Sequence, residues 1–209
     1  MDPISILALQ EIPNVGSKTI EKVLSLNSTF EPRGSSDLIK MLAETKRKFG
    51  RISVPDDHTA KIAWDNAHEI WRRSRQYNVQ MILKEDPKYP NCLLHIPDPP
   101  ALLNVLGNID AINKDCIAIV GTRKPTKYGI TAARKLGALF AKEGYVVVSG
   151  LADGIDTAAH QGALDANGLT VAVLAHGLDT VYPNKNKELA DTILRNGGAL
   201  VSEYPLGIK

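Results

Sequence analysis

The residues of this 209-residue chain that could do chemistry sit at two strand-to-loop junctions. The first reads Ile117-Ala118-Ile119-Val120-Gly121-Thr122-Arg123, the second Val146-Val147-Val148-Ser149-Gly150-Leu151-Ala152-Asp153-Gly154-Ile155-Asp156. Each is a short apolar run that ends in small residues and leads into a helical pattern. Neighbouring parallel strands whose carboxyl ends face a ligand read this way. Small residues there admit backbone N–H groups to an anion, and the following helix adds its positive N-terminus. The chemistry expected is therefore phosphate binding. Gly121 permits a tight turn, Thr122 offers a hydroxyl donor, and Arg123 can grip two phosphate oxygens at once. The alternative for Arg123 is an ion pair with a nearby carboxylate such as Asp153.

Further candidates extend the same edge. Tyr128 and Gly129 open the next helix; Tyr128 either stacks on a base or merely covers the sheet edge. Ser149, Gly150 and Asp153 belong to the second loop, while Asp156 is placed to N-cap a helix beginning at Thr157. Gly177 and Lys185 follow a third strand. Gly177 lets backbone approach the crevice, and Lys185 either contacts phosphate or is simply solvated. His160 lies one turn beyond Asp156, but no nucleophile or second acid/base group accompanies it, so no catalytic residue is assigned. Cys92 and Cys116 have no metal-ligand spacing, and no metal or cofactor is expected. The G-x-G-x-x-G dinucleotide fingerprint is absent.

Bulk properties narrow the partners. Apolar residues make up 44% of the chain, enough for a real core, and the formal charge is only +2. Lys and Arg outnumber Asp and Glu by 12 to 10 up to residue 80 and balance them 13 to 13 beyond it, so any basic surface must be local. No apolar run approaches the ~20 residues that span a bilayer. The N-terminus lacks a basic stretch followed by an apolar run, so no signal peptide is expected and the cytoplasm is the default location.

The elements that must position these residues follow from periodicity. Residues 1–78 read as a small helical domain, with helices ending near Ile12, spanning Thr19 to Leu26, capped by Asp37 and running to Phe49, and covering Asp57 to Tyr77. Trp64 and Trp71 fall on one helical face and read as core. Residues 79–209 read as an α/β Rossmann-like, mostly parallel sheet with helices on both faces. An entry segment rich in proline holds strands 79–83 and 101–106. Strands 116–120, 145–149, 170–175 and 199–203 then alternate with helices 129–143, 157–167 and 186–196. A separate signal lies in Ile12-Pro13-Asn14-Val15-Gly16-Ser17-Lys18-Thr19. A Val15-Gly16 turn between two helices, with Lys18 beside it, is similar to the helix-hairpin-helix (SAM-like) element that grips DNA backbone without reading sequence.

Taken in order, Tyr89-Pro90, Leu106-Gly107, Val120 to Arg123, Tyr128-Gly129, Ser149 to Asp156, His160, Gly162-Ala163-Leu164, Gly177-Leu178-Asp179, Tyr182-Pro183, Asn186 and Ser202-Glu203 resemble the DNA-processing protein A (Smf) family over roughly residues 79–205. The resemblance implies a Rossmann-like module that binds and protects single-stranded DNA. It also implies loading of the strand-exchange recombinase during natural transformation, action as a homodimer, and no established catalysis. By position, Arg123 and the Ser149-Gly150 loop would line the DNA pocket. The family core continues past this sequence with a Phe-Pro and Arg-Asn-Arg block and further strands, so the core is expected to be C-terminally incomplete. The alternative is a Rossmann-like protein that binds or hydrolyses a small nucleotide. That chemistry would want a Pro-Gly-Gly-x-Gly-Thr loop, whereas Gly197-Gly198 stands alone.

Overall fold

A computed structural model describes residues 1–27 and 30–209. Four helices come first: α1 (Pro3–Glu11), α2 (Ser17–Leu26), α3 (Ser35–Phe49) and α4 (Asp57–Gln76). Side-chain caps start two of them. Asp2 accepts from the Ser5 N–H at 2.8 Å, and Asp56 accepts from the Thr59 N–H at 2.7 Å. Asp37 does not cap α3 as its position suggested. Gly34 takes the cap position, and Asp37, in the first turn, reaches back to the Arg33 N–H at 3.0 Å and to Lys40 Nζ at 3.0 Å. An anion in the first turn suits the helix dipole equally well.

Leu7, Leu9, Val23, Leu38 and Leu42 are fully buried between these helices, and Trp64 and Trp71 pack against them as core residues. The same apolar cluster takes in Leu102, with Met81 and Leu83 against it, so the helical core runs without a break onto the first strands of the sheet.

The sheet contains β1 (Gln80–Leu83), β2 (Leu102–Gly107), β3 (Cys116–Ala118), β4 (Val146–Ser149), β5 (Thr170–Leu174) and β6 (Ala199–Ser202), in the order β1-β2-β6-β5-β4-β3. Strands β3 to β6 are mutually parallel; β2 runs antiparallel to β6, and β1 antiparallel to β2. Short helices α5 (Asn91–Leu94) and α6 (Ile109–Ile112) interrupt the entry segment, and α7 (Lys127–Lys142), α8 (Ile155–Asp165) and α9 (Lys187–Arg195) form the crossovers.

The period-2 alternation of the strands divides the helices between the faces. Val147 packs with Ala141 of α7 and Ala159 and Ala163 of α8, and Ala172 and Leu200 pack with Ala190 and Ile193 of α9. On the opposite face Val146, Val171 and Val201 pack with Ala111 of α6. Cover on that face stops short of the β3 edge, where Cys116, Ala118 and Val120 are exposed. Strand β3 is shorter than its apolar run because Val120, 70% exposed, already leaves the sheet. The α7–α8 contact is close because Gly137 and Gly162 sit against backbone carbonyls of the facing helix, those of Ala159 and Arg134, where any Cβ would collide.

Candidate nucleic-acid interface

The carboxyl ends of β3, β4 and β5 open at one edge of the sheet, and the loops there are cross-tied. Ser149 Oγ donates to the Ile119 carbonyl oxygen at 2.6 Å. The Ile155 N–H donates to the Thr122 carbonyl oxygen at 3.3 Å, which fixes the start of α8 against the first loop. Gly121 is required at this crossing, because an added Cβ would lie 2.7 Å from the Ile155 side chain.

Asp156 is the centre of the arrangement, and its role differs from the helix cap that the sequence suggests. Gly154, with φ +87°, occupies the cap position and turns the chain into α8, which starts at Ile155, two residues before Thr157. Asp156 is therefore inside the first turn and buried, and its carboxylate faces the strand ends. Oδ1 accepts from the Gly121 N–H at 3.3 Å, and Oδ2 accepts from the Gly150 N–H at 3.1 Å. One internal carboxylate thus takes the two amides that sequence reading offers to phosphate. A ligand anion at this edge must be held by other groups.

Those groups surround a cavity of about 110 Å³ whose wall includes Arg123, Gly150, Asp153, His176 and Tyr182. Arg123 is exposed and forms no ion pair among the described residues. Asp153 pairs instead with Lys185, whose Nζ lies 2.9 Å from Asp153 Oδ1. Lys185 remains largely exposed at this edge while it pairs with Asp153. Tyr128 is 83% exposed at the start of α7, and Tyr182 is 69% exposed at the cavity mouth, so two aromatic rings stand in solvent at this edge. Gly129 is not forced by packing: a Cβ there would make ordinary contacts of 3.4 Å to Pro125 and 3.6 Å to Ile155. Its N–H donates to Thr126 Oγ1, the cap of α7. Gly177 makes its close approach to the chain's own end, since its N–H donates to the Ile208 carbonyl oxygen at 2.9 Å and a Cβ would press on Pro205.

His160 stands apart from the cavity. It is fully buried, with Nδ1 2.6 Å from Thr170 Oγ1, and the Thr170 hydroxyl donates to the Val147 carbonyl oxygen. Burial pushes its pKa down to about 4. The hairpin turn is also separate. Val15 is buried in the helical core, while Gly16 and Lys18 are exposed. The turn borders a different cleft of about 470 Å³, with Glu11 and Glu203 in its wall, and Ser17 Oγ donates to Asp98 at 3.2 Å. The structure therefore brings Arg123, Gly150 and Asp153 together with Tyr182 and His176, and leaves Val15, Gly16 and Lys18 elsewhere. Sequence reading assigned no site role to His176 or Tyr182. An aromatic ring in the loop between β5 and α9 was the available signal for Tyr182; none marked His176. No group of three or more His, Cys, Asp or Glu side chains suited to a metal ion occurs among the described residues.

The parallel sheet edge with its internal carboxylate clamp belongs to a Rossmann-like α/β core. Residues 80–209 match the family described as DNA recombination-mediator protein A, and the chain belongs to that family. It is 41% identical to Protein Smf of Synechocystis sp. over 148 residues, which is 69% of this chain and 37% of that protein. It is 44% identical to DNA processing protein DprA of Streptococcus pneumoniae over 122 residues, 58% of this chain and 43% of that one. The chain spans about two fifths of the length of these relatives. Among solved structures, DNA processing protein A of Streptococcus pneumoniae superposes with a TM-score of 0.78 at 30% identity, covering 100% of this chain and 70% of that one. DNA processing protein A of Helicobacter pylori, described for its single-stranded DNA binding mode, superposes with a TM-score of 0.54 at 30% identity over 62% of this chain and 58% of that one.

Proposed function

We propose that this chain binds single-stranded DNA at the carboxyl edge of β3–β5, in preference to duplex and without strong sequence choice. The observation that carries the reading is the juxtaposition in one cavity wall of Arg123, which pairs with no carboxylate among the described residues, and the exposed Tyr182, with the exposed Tyr128 opening the helix that follows the Arg123 loop. A cation for the backbone beside aromatic faces for bases is the combination that sequence-tolerant single-strand binding uses. In this proposal the strand runs across the loop ends, with Arg123 on a phosphate and the tyrosines against bases. Thr122, Gly129, Ser149 and Gly177 shape or tie the loops, and Lys185 pairs with Asp153.

The wider role belongs to the same proposal. The bound strand is protected and handed to a strand-exchange recombinase during natural transformation, a second copy of the chain is a further partner, the setting is cytoplasmic, and no bond is made or broken. The family description as a recombination mediator supports this reading. The helical part, residues 1–78, serves chiefly to buttress β1 and β2, with the 79–209 core carrying the DNA. The test is equilibrium binding of oligothymidylate, duplex of matched length, and mononucleotides. Tighter binding of the single strand supports the proposal, and preference for a mononucleotide favours the small-nucleotide alternative.

A further inference from the structure

Helix α7 starts at the binding edge and carries charge of one sign. Over its 16 residues it holds Lys127, Arg134, Lys135 and Lys142 and no Asp or Glu; the next carboxylate along the chain, Glu143, lies past the helix end. Arg134 is already engaged, with Nε 2.5 Å from Asp165 Oδ2. That pair also neutralises the one exposed carboxylate of the neighbouring helix α8. Lys127, Lys135 and Lys142 are exposed and form no ion pair among the described residues. A helix face that is merely solvated mixes both signs, as α4 does with Asp57, Asp65 and Glu69 among its Lys and Arg residues.

The lysines are also ordered with respect to apolar groups. Tyr128, Lys135, Leu139 and Lys142 follow one another at intervals of seven, four and three residues, which keeps them on one helix face. This face is turned away from Ala133, Gly137 and Ala141, the buried side of α7. Tyr128 is 83% and Leu139 51% exposed. At a rise of about 1.5 Å per residue the stripe reaches about 21 Å from the edge where Arg123 stands. Cations thus alternate with apolar side chains along it. A duplex can use only the cations, because its base faces are stacked inside, whereas a single strand can use both.

Resting on the single-strand reading above, we propose that the exposed face of α7 from Tyr128 to Lys142 continues the DNA site. The strand leaves the β3–β5 edge past Tyr128 and runs along the helix, with Lys135 and Lys142 on phosphates and Leu139 against a base. The edge alone then holds a short oligomer, and α7 is engaged only by a longer one.

The test compares oligothymidylates of about 4 and about 16 nucleotides, the range a single-strand site spans, by fluorescence anisotropy at several salt concentrations. The proteins are the full wild-type chain, the double variant Lys135→Gln with Lys142→Gln, and a control with Lys46, Arg47 and Lys48 of α3 changed to Gln. Glutamine keeps helix propensity, and α3 packs against α2 and α4 rather than α7. The wild-type chain is expected to bind the long oligomer more tightly and with a steeper salt slope. In the α7 variant the slope for the long oligomer should become shallower by about 1.4, two contacts at about 0.7 each, and its affinity should fall about fivefold. Binding of the short oligomer should be unchanged, and the α3 control should match the wild-type chain. A folded α7 variant that keeps the full length advantage and slope overturns the inference and leaves the single-strand reading intact. Equal weakening of both oligomers, or equal weakening by the α3 control, also overturns it, since the lysines would then act only through the overall field. Failure of the wild-type chain to bind either oligomer removes both readings.

Discussion

Asp156 and Gly121 are hydrogen-bonded across 35 positions of sequence, and the other carboxylate oxygen of Asp156 holds Gly150. This clamp joins the loops after β3 and β4 to the first turn of α8, so the geometry of the binding edge depends on one buried side chain. Replacing it with alanine leaves two backbone amides unpaired and releases both loops. Asp156→Ala is expected to lose about 2–4 kcal/mol of stability in a denaturant titration, since charge-assisted hydrogen bonds contribute about 1.5–3 kcal/mol each and the cavity relaxes only in part. DNA binding should fall further than the stability loss alone explains, measured under conditions where the variant is folded.

Arg123 should behave in the opposite way. It is exposed and forms no ion pair among the described residues, so Arg123→Ala is expected to melt within about 0.5 kcal/mol of the wild-type chain while binding DNA about 1–3 kcal/mol more weakly. Removing one phosphate contact should also make the slope of log affinity against log salt shallower by about 0.7. An unchanged slope in a folded variant would move the phosphate contact away from this edge.

The tyrosines at the same edge test stacking separately from charge. Tyr128→Ala and Tyr182→Ala should each weaken binding by about 1–3 kcal/mol, with no change in salt slope, because base–aromatic stacking carries no counterion term. Tyr128 is the more exposed, so its substitution should leave the melting temperature alone.

His160 predicts a pH dependence of folding. Burial lowers its folded-state pKa from 6.5 to about 4, so on acidification the unfolded chain takes up the proton first. Stability from this group is complete above about pH 6.5 and is lost as the pH falls toward 4, by about 3 kcal/mol in all. His160→Leu should therefore show a flatter stability profile between those limits than the wild-type chain, by urea titration at a series of pH values. Parallel profiles would mean that His160 is solvated in the folded state.

Much of this architecture was legible because the local signals agree. The apolar runs at 116–120, 145–149, 170–175 and 199–203, separated by helical patterns, admit few arrangements other than a parallel sheet. What was not legible depends on pairs that only tertiary structure brings together. Asp156 looks like a cap because a carboxylate at the start of a helix usually is one. Its true partners, Gly121 and Gly150, are defined by the register of β3 against β4. The Lys185–Asp153 pair joins loops from different strands, so sequence could place each residue at the edge but not against the other. Gly177 signals close approach correctly, but the approach is to Pro205 and Ile208, a contact fixed by where the chain returns after β6. His176 has no periodicity or spacing that sets it apart from a solvated loop histidine.

The most direct test of the central claim is a competition experiment with the wild-type chain. Labelled oligothymidylate is bound, then displaced by unlabelled single strand, duplex of equal length, or mononucleotide, at several salt concentrations. Single strands of any sequence are expected to displace it at the lowest competitor concentrations, duplex more weakly at every salt, and mononucleotide almost not at all. Equal displacement by duplex and single strand, or displacement by mononucleotide at comparable concentration, would contradict the claim.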